Sequence, residues 1–451
     1  MIETTTELLI IGSGFVGQTI ANSLAPHCRS LTLVDMSPTS ISFSHEVQDL
    51  FSSVQLSKTA SPEGGVGVWG KALTFPSVEQ FFGDVRFETW NKAGAGLQYG
   101  LANQSFGIRP GCFAFNRRSR RKVSRDWPDL DKYFDVEVHT YAATSELKHG
   151  WNLEIKDIRC PKISGNVCAI TRLGANWRVE LETQNGTLYI VAENLVFASG
   201  AIANAALASL ASGMSLFPVG NHLSASVGKL HLLWRRIYSQ FPNTWRPREK
   251  GFVTLSPLPP SSSRPRVGLR FQVASEELFT HHVRQGALVY LQRIKRHIMY
   301  KLGAFSTYSV RVMLEHGGDI SNKLWVNQLA TRKGFSCWVN SGVSIAEREE
   351  VIRALSSLEL YTDGLPCKLE LIDHNEIVWS DAAHYYGTIP MRESLSGELV
   401  VDSEYAICGF HGLYSVGASA FPRGSHAHPT YLAVCVAHDF VSKFKASRSR
   451  N

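Results

Sequence analysis

The chain has 451 residues, 44% of them hydrophobic and 19% charged, with a formal net charge of +7. That length supports two or three core-forming units, and that composition excludes large-scale disorder. No apolar run is long enough to span a bilayer, and the start MIETTTELLIIGSG, acidic and leading straight into a glycine turn, is unlike a signal peptide. Cytoplasmic residence is therefore the expectation. The eight cysteines are scattered with no CxxC pair, which suits reduced thiols rather than a disulfide or zinc framework. Much of the positive charge lies in RRSRRK (117–122), Arg235–Arg236, RIKR (293–296) and the tail KFKASRSRN. Solvated faces account for such clusters; attraction to an anionic partner is the sharper reading. No zinc-finger or RNA-binding signature accompanies them, so nucleic acid is not an expected partner.

The run ELLII (Glu7–Ile11) reads as the first strand of a parallel sheet. It feeds Gly12-Ser13-Gly14-Phe15-Val16-Gly17, and a second apolar strand, Leu31–Val34, ends in Asp35. A GxGxxG alone is weak, but here it follows a strand, opens a helix and has an acid about 20 positions later. Gly12, Gly14 and Gly17 would let the backbone approach a pyrophosphate, and Asp35 would accept hydrogen bonds from ribose hydroxyls. The position of the motif leans towards FAD rather than NAD. A second glycine-rich stretch, Glu63-Gly64-Gly65-Val66-Gly67-Val68-Trp69-Gly70, permits close backbone contact with a ligand. Trp69 has two readings there, stacking near an aromatic ring system or packing in a core.

Farther on, DWPDLDKYF (126–134) reads as a helix start. Two strands, Asn176–Glu182 and Gly186–Val191, are joined by a turn at Asn185-Gly186. Asn194–Ala198 is a buried strand ending in Ser199-Gly200, followed by an alanine-rich helix over Ile202–Ala211. Pro218–Leu223 reads as a turn. Strands are expected at Gly228–Leu233, Val267–Val273, Tyr308–Glu315 and Lys323–Val326, and an amphipathic helix at Ile345–Leu360 with Glu347, Glu349 and Glu350 on its polar side. This stretch has the pattern of an antiparallel sheet with helices over one face.

Near the C-terminus LYSVGASAFP (413–422) reads as a strand that breaks at Gly417 and Ala418, followed by a polar loop with His426 and His428. Pro429 suits the first turn of a helix, and the apolar run from Thr430 predicts that the helix is buried. The helix N-terminus would favour an anion or a cofactor that becomes anionic. His426 and His428 lack further ligands at suitable spacing, so no metal site is expected. His222, His281, His282, His316 and His411 read as ordinary surface or core histidines.

The segment from Asp381 onward, with His384 three residues before Gly387-Thr388, Met391, Val400-Val401-Asp402, Leu413–Pro422 and His428-Pro429-Thr430, resembles the C-terminal signature of the glucose–methanol–choline (GMC) oxidoreductases. Gly417-Ala418-Ser419 is similar to the branch that holds sugar dehydrogenases and pyranose oxidases. The resemblance implies an α/β plus α+β fold. It would have a discontinuous, Rossmann-like FAD-binding domain (1–75, 190–225 and 380–451), a mixed connecting region (76–189) and an inserted antiparallel-sheet substrate domain (226–379). It further implies that FAD is held by Gly12, Gly14, Gly17, Asp35, Gly64, Gly65, Trp69, Gly200, Gly417, Ala418 and Thr430. The stretch 63–70 has no histidine or cysteine, so the FAD is expected to be non-covalent. His384 and His428 are the expected catalytic pair. A base beside the hydroxyl is what hydride release from an alcohol requires, and histidine titrates in the right range. His384 is the expected base and His428, standing where many relatives carry asparagine, the hydrogen-bond partner, although the roles could be exchanged. The expected substrate is a sugar or glycoside, with an anionic or lipid-linked form as a further expectation. A steroid-like alcohol and a non-catalytic flavin-binding role are the alternatives.

Overall fold

A computed structural model describes residues 2–36, 41–49, 52–59, 72–73, 100–102, 104–105, 129–141, 160–232, 251–258, 266–273, 307–316, 322–328, 334–365, 367–381, 384–392, 397–422 and 429–449. Leu8 to Ile11 have no exposed surface, as a strand covered on both faces requires. They end a strand, Ile2–Ile11, that pairs in parallel with Leu31–Met36 on one side and Gly186–Phe197 on the other. Leu413–Ser415 adds a further parallel strand beside Leu195–Phe197.

Lys162–Leu173, Asn176–Thr183 and Gly186–Phe197 form an antiparallel meander, with the expected turn passing through Gly186 at φ 106°. Lys162 pairs with Leu33, so the pairings run in a closed circuit back to the first strand. The two strands expected at 186–191 and 194–198 are one strand, because Ile2–Ile11 pairs along it from Leu188 to Phe197. Four helices of eight residues or more are described: α1 (Phe15–Leu24), α2 (Ala201–Ser212), α3 (Ile345–Thr362) and α4 (Pro429–Arg448). α4 packs against α1 and buries nearly every residue from Tyr431 to Val441, as its apolar sequence predicts.

A second sheet has the order Leu216–Pro218, Lys323–Gln328, Phe335–Gly342, Ile41–Asp49, Ser52–Thr59. The strand expected at 323–326 therefore pairs here, with Leu216–Pro218 and Phe335–Gly342, and not with the strands expected at 228–233, 267–273 and 308–315. A third sheet is antiparallel throughout: Cys367–Leu371, Asn221–Leu232, Thr307–His316, Arg266–Val273, Gly251–Pro257, Phe134–Tyr141, Ala72–Leu73. Ser380–Asp381 also pairs with Asn221–Leu232.

Three local expectations are corrected. Pro218–Leu223 is not a turn: Leu216–Pro218 and Asn221–Leu232 are strands, and Asn221 pairs with His316. The helix start expected at 126–134 is, over the described residues, a single 3-10 turn, Leu130–Lys132, leading into a strand. Glu347 and Glu350 of α3 are each only 7% exposed. Glu347 closes a capping box with Ser344, and Glu350 is bound by Arg353; their partners outweigh the cost of burial.

In the third sheet, Leu223, Ala225 and Val227, Tyr308, Val310, Val312 and Leu314, and Val267, Leu269 and Phe271 all point to one face. There they pack on Val351, Ala354, Leu355 and Leu358 of α3. Because strand side chains alternate, His222, Ser224, Arg311 and Arg270 lie on the other face. The molecule thus combines a Rossmann-like α/β unit with an antiparallel sheet covered on one side by a helix. No described helix is long and apolar enough to cross a membrane.

Candidate functional site

The glycine turn lies at the C-terminal ends of the parallel strands, where ligands bind in open α/β sheets. Its three glycines meet different surroundings. Gly12 adopts φ 117°, and a Cβ there would lie 2.5 Å from the Ala198 carbonyl carbon. A Cβ on Gly17 would lie 1.7 Å from the Gly12 oxygen, so the helix can approach the strand only without a side chain. Gly14 is the reverse: nothing lies within 4 Å of a Cβ placed on it. It is the N-cap of α1 and makes no side-chain cap bond. The amides of the first helical turn therefore face an open cradle of the kind that takes a diphosphate.

Asp35 sits in the second strand beside this turn. Ser13 Oγ donates to its Oδ1, and Lys162 Nζ stands 2.9 Å from its Oδ2. A carboxylate has about four acceptor sites, so two bound donors leave it able to receive a ribose hydroxyl. Gln18 Nε2 donates to the Ser13 carbonyl at 2.6 Å and fixes the turn from within α1.

The other expected glycines converge on the same edge. Gly200 adopts φ 89° at the N-cap of α2, with open space where a Cβ would be. Gly417 adopts φ 99°, and a Cβ on it would lie 3.1 Å from Val16 Cγ2, so the end of the last strand rests on the first turn of α1. Ala418 follows it and accepts a hydrogen bond from the Gly387 amide at 2.9 Å. Ile389 and Met391 amides then bond the carbonyls of Ser419 and Ala420. Thr388 Oγ1 donates to the Ala201 carbonyl at 2.8 Å. Thr430 is in the first turn of α4, a helix in contact with the Ala418–Ala420 turn.

These bonds place His384 three residues from the glycine edge. Gly220 and Tyr386 exchange backbone hydrogen bonds of 2.9 Å each way, and a Cβ on Gly220 would collide with the Tyr386 ring. This clamp lays residues 220–222 along 384–386. His222, 2% exposed, meets the His384 ring edge-on with centroids 5.4 Å apart. The expectation of an ordinary core histidine overlooked that contact, which depends on a strand where a turn was expected.

Asn204 was also missed. Fully buried in α2, its Nδ2 lies 3.0 Å from the Phe197 carbonyl, 3.2 Å from Ser415 Oγ and 2.8 Å from Ser419 Oγ. Its Oδ1 accepts the Ser199 amide at 2.8 Å. One side chain thus ties both strand ends that frame the cofactor edge. An asparagine inside an alanine-rich helix is the signal that could have revealed it. His428, Gly64, Gly65 and Trp69 lie outside the described residues, as does His426. Among the described residues no group of three or more His, Cys, Asp and Glu could hold a metal ion.

A glycine-lined edge at the ends of parallel strands, together with an antiparallel sheet covered by a helix, is a Rossmann-like architecture joined to a second unit. Residues 327–437 match the family model of the GMC oxidoreductase C-terminal domain. The fold is similar to that of pyridoxine 4-oxidase from Mesorbium loti, with a TM-score of 0.63 and 12% identity over 97% of this chain and 99% of that one. It is similar also to a variant of Aspergillus oryzae RIB40 formate oxidase described for its FAD modification, with a TM-score of 0.66 and 12% identity over 99% of each chain. At that identity the likeness is one of fold. No curated protein matches by sequence.

Proposed function

We propose that this chain is an FAD-dependent oxidoreductase that converts a CH–OH group of a sugar or glycoside to the carbonyl. FAD, held without a covalent bond, supplies the hydride acceptor. The residues present fit it. The cradle at Gly14, closed behind by Gly12 and Gly17, takes the diphosphate, and Asp35 the ribose. Gly200, Gly417, Ala418 and the α4 end at Thr430 line the remainder of the edge, and the second glycine stretch supplies Gly64, Gly65 and Trp69 as further cofactor-binding residues.

The observation that carries the reading is the anchoring of His384. It stands three residues before Gly387, whose amide is bound to Ala418 at that edge, and beside the polar face of the substrate sheet. An alcohol carbon gives up hydride only as its hydroxyl proton leaves. His384 takes that proton, so substrate loses one hydride and one proton and becomes a carbonyl. His222 holds the imidazole in place from the side. His428 hydrogen-bonds the same oxygen, and the two histidines can exchange roles.

The choice of a polar substrate over a steroid-like one rests on the side chains described on that face: His222, Ser224, Ser226, Arg311 and Arg270. Apolar ligands select aliphatic and aromatic walls. The expected result is that His384→Ala retains bound FAD and an unchanged fold while anaerobic flavin reduction by the best alcohol slows by about 10²–10⁴-fold. Reduction at the wild-type rate in stopped flow removes His384 from the mechanism. A wild-type protein that binds FAD yet is bleached by no alcohol or sugar is a flavin-binding protein without turnover.

A further inference from the structure

We infer that Lys162 is a specificity-determining residue of the cofactor site. It donates a hydrogen bond to the same ribose 2′-hydroxyl that Asp35 accepts, and with Asp35 it selects a ribose without a 2′-phosphate. The inference rests on the proposed binding of FAD and adds to that site a residue from the neighbouring strand.

Three neighbouring strands of the first sheet carry the argument. The glycine turn follows Ile2–Ile11, Asp35 lies near the end of Leu31–Met36, and Lys162 begins the strand Lys162–Leu173. Lys162 is in register with Leu33 and Ser164 with Asp35, in a parallel pairing. Because side chains alternate along a strand, Leu33, Asp35, Lys162 and Ser164 share one face of the sheet. Lys162 therefore starts two residues behind Asp35, and its stem runs forward to bring Nζ within 2.9 Å of Oδ2. From the other side Ser13, between Gly12 and Gly14, donates its hydroxyl to Oδ1. The carboxylate is thus held by the turn that forms the diphosphate cradle and by the next strand, and the site runs from Gly14 over Asp35 to Lys162.

The pair is open to a ligand: the Lys162 and Asp35 side chains are 44% and 37% exposed. An exposed ion pair adds little to stability; what this one offers is a fixed donor beside a fixed acceptor. The ammonium carries three N–H donors, of which Asp35 takes one, and the carboxylate has about four acceptor sites, of which Ser13 and Lys162 fill two. A hydroxyl both donates and accepts. An O–H that donates to Oδ2 at about 2.7 Å brings its own oxygen within reach of Nζ. Lys162 and Asp35 then read one hydroxyl from both sides, and Oδ1 keeps a site for the second hydroxyl of the ribose. Glu182, a further described acid on this face, is in register with Asn166, four residues along the strand from Lys162. It stands roughly 13 Å away along the sheet and is screened from the pair at physiological salt.

The chemistry selects among nucleotides. In dinucleotide sites an acid at this place marks a free 2′-hydroxyl, and a nearby cation marks a 2′-phosphate. Here the cation is bonded to the acid. A 2′-phosphate would meet the negative charge of Asp35 at contact distance, where like charges repel, and the dianion has no proton to give it. A 2′-deoxyribose would leave both partners without the oxygen they share. Removing the charge of Asp35 releases Lys162, and the seat should then turn towards the phosphate.

The test uses the full chain. FAD binding is followed by quenching of flavin fluorescence, with ADP, 2′-deoxy-ADP and 2′-phospho-ADP as competitors. The proteins compared are wild type, Lys162→Met, Lys162→Arg, Asp35→Asn and the double variant Asp35→Asn/Lys162→Met. Wild type is expected to prefer ADP to 2′-deoxy-ADP by about tenfold or more. That preference should fall about threefold or more in Lys162→Met and recover in Lys162→Arg. In Asp35→Asn the order of ADP and 2′-phospho-ADP should reverse, and the double variant should lose the reversal. A residue that only holds the fold weakens all three nucleotides alike and leaves these ratios unmoved. Ratios in Lys162→Met equal to those of wild type, or an order in Asp35→Asn that Lys162→Met does not change, overturn the inference while FAD binding stands. A wild type that binds neither FAD nor ADP overturns the FAD reading and the inference with it. Should Asp35→Asn fail to fold, the ratio of ADP to 2′-deoxy-ADP in Lys162→Met against Lys162→Arg decides. Should the chain lose its fold without FAD, release of FAD on dilution of the loaded protein decides. Release about threefold faster or more from Lys162→Met than from wild type and Lys162→Arg is then expected, and equal rates overturn the inference.

Discussion

Within one turn of backbone, Gly12, Gly14 and Gly17 do three separate jobs, and their surroundings distinguish them. Gly17 has no room for a methyl group because the obstacle is backbone, the Gly12 carbonyl, and backbone yields little. Gly14 has room on every side and an extended φ of −74° that alanine adopts freely. Gly14→Ala should leave apo stability within about 0.5 kcal/mol of wild type, while FAD affinity falls at least tenfold because the methyl occupies the cradle. Gly17→Ala should cost about 3 kcal/mol or more through overpacking and lower stability with or without FAD. Thermal melts of each variant, with and without added FAD, separate the two. Identical behaviour of the variants would count against the cradle.

At the scale of elements, α2 shows what can and cannot be read from a chain. Its helical state is legible in AIANAALASLAS, and so are the buried strands on either side, since parallel strands covered on both faces need uninterrupted apolar runs. The role of Asn204 is not legible, because its partners Ser415 and Ser419 lie far along the chain and only the sheet brings them near. The same reason explains 218–223. Proline and glycine there signal a turn, but pairing with His316 and Tyr386 outweighs the local preference and puts His222 against His384. Asn204→Leu should therefore destabilise by roughly 3 kcal/mol, since it abandons buried donors and acceptors at both strand ends, and FAD content should fall with it. Ser212→Ala removes only local bonds at the end of α2, to the Ala208 carbonyl and from the Met214 amide, and serves as the control at about 1 kcal/mol or less. Urea midpoints that move equally for the two variants would refute the hub.

At the scale of the whole molecule, α4 holds the two ends of the chain together. Arg448 is bound to Glu7, buried at the base of the first strand, and Tyr405 donates to Asp439 Oδ2 at 2.8 Å. Lys443 stands 2.8 Å from the same carboxylate. Sequence reveals that α4 is buried but not what its polar residues meet. His438 is the case with a measurable consequence. It is 9% exposed, its Nε2 lies 2.9 Å from Ser105 Oγ, and burial pushes its pKa down to about 4. The unfolded chain returns it to the ordinary histidine value near 6.5. Between those two values the unfolded state binds the extra proton, so stability rises with pH across that window. The contribution is complete above about pH 6.5 and is lost progressively as pH falls towards 4, at up to about 1.4 kcal/mol per unit. From pH 7 to pH 5 the wild type should lose about 2 kcal/mol more than His438→Gln, a variant that keeps an amide for Ser105 and does not titrate. Taking the difference between the two proteins removes the contribution of the other histidines. Urea denaturation at half-unit steps supplies the comparison, and stability curves that run parallel from pH 7 to pH 4 would show that His438 titrates as freely in the folded protein as in the unfolded chain.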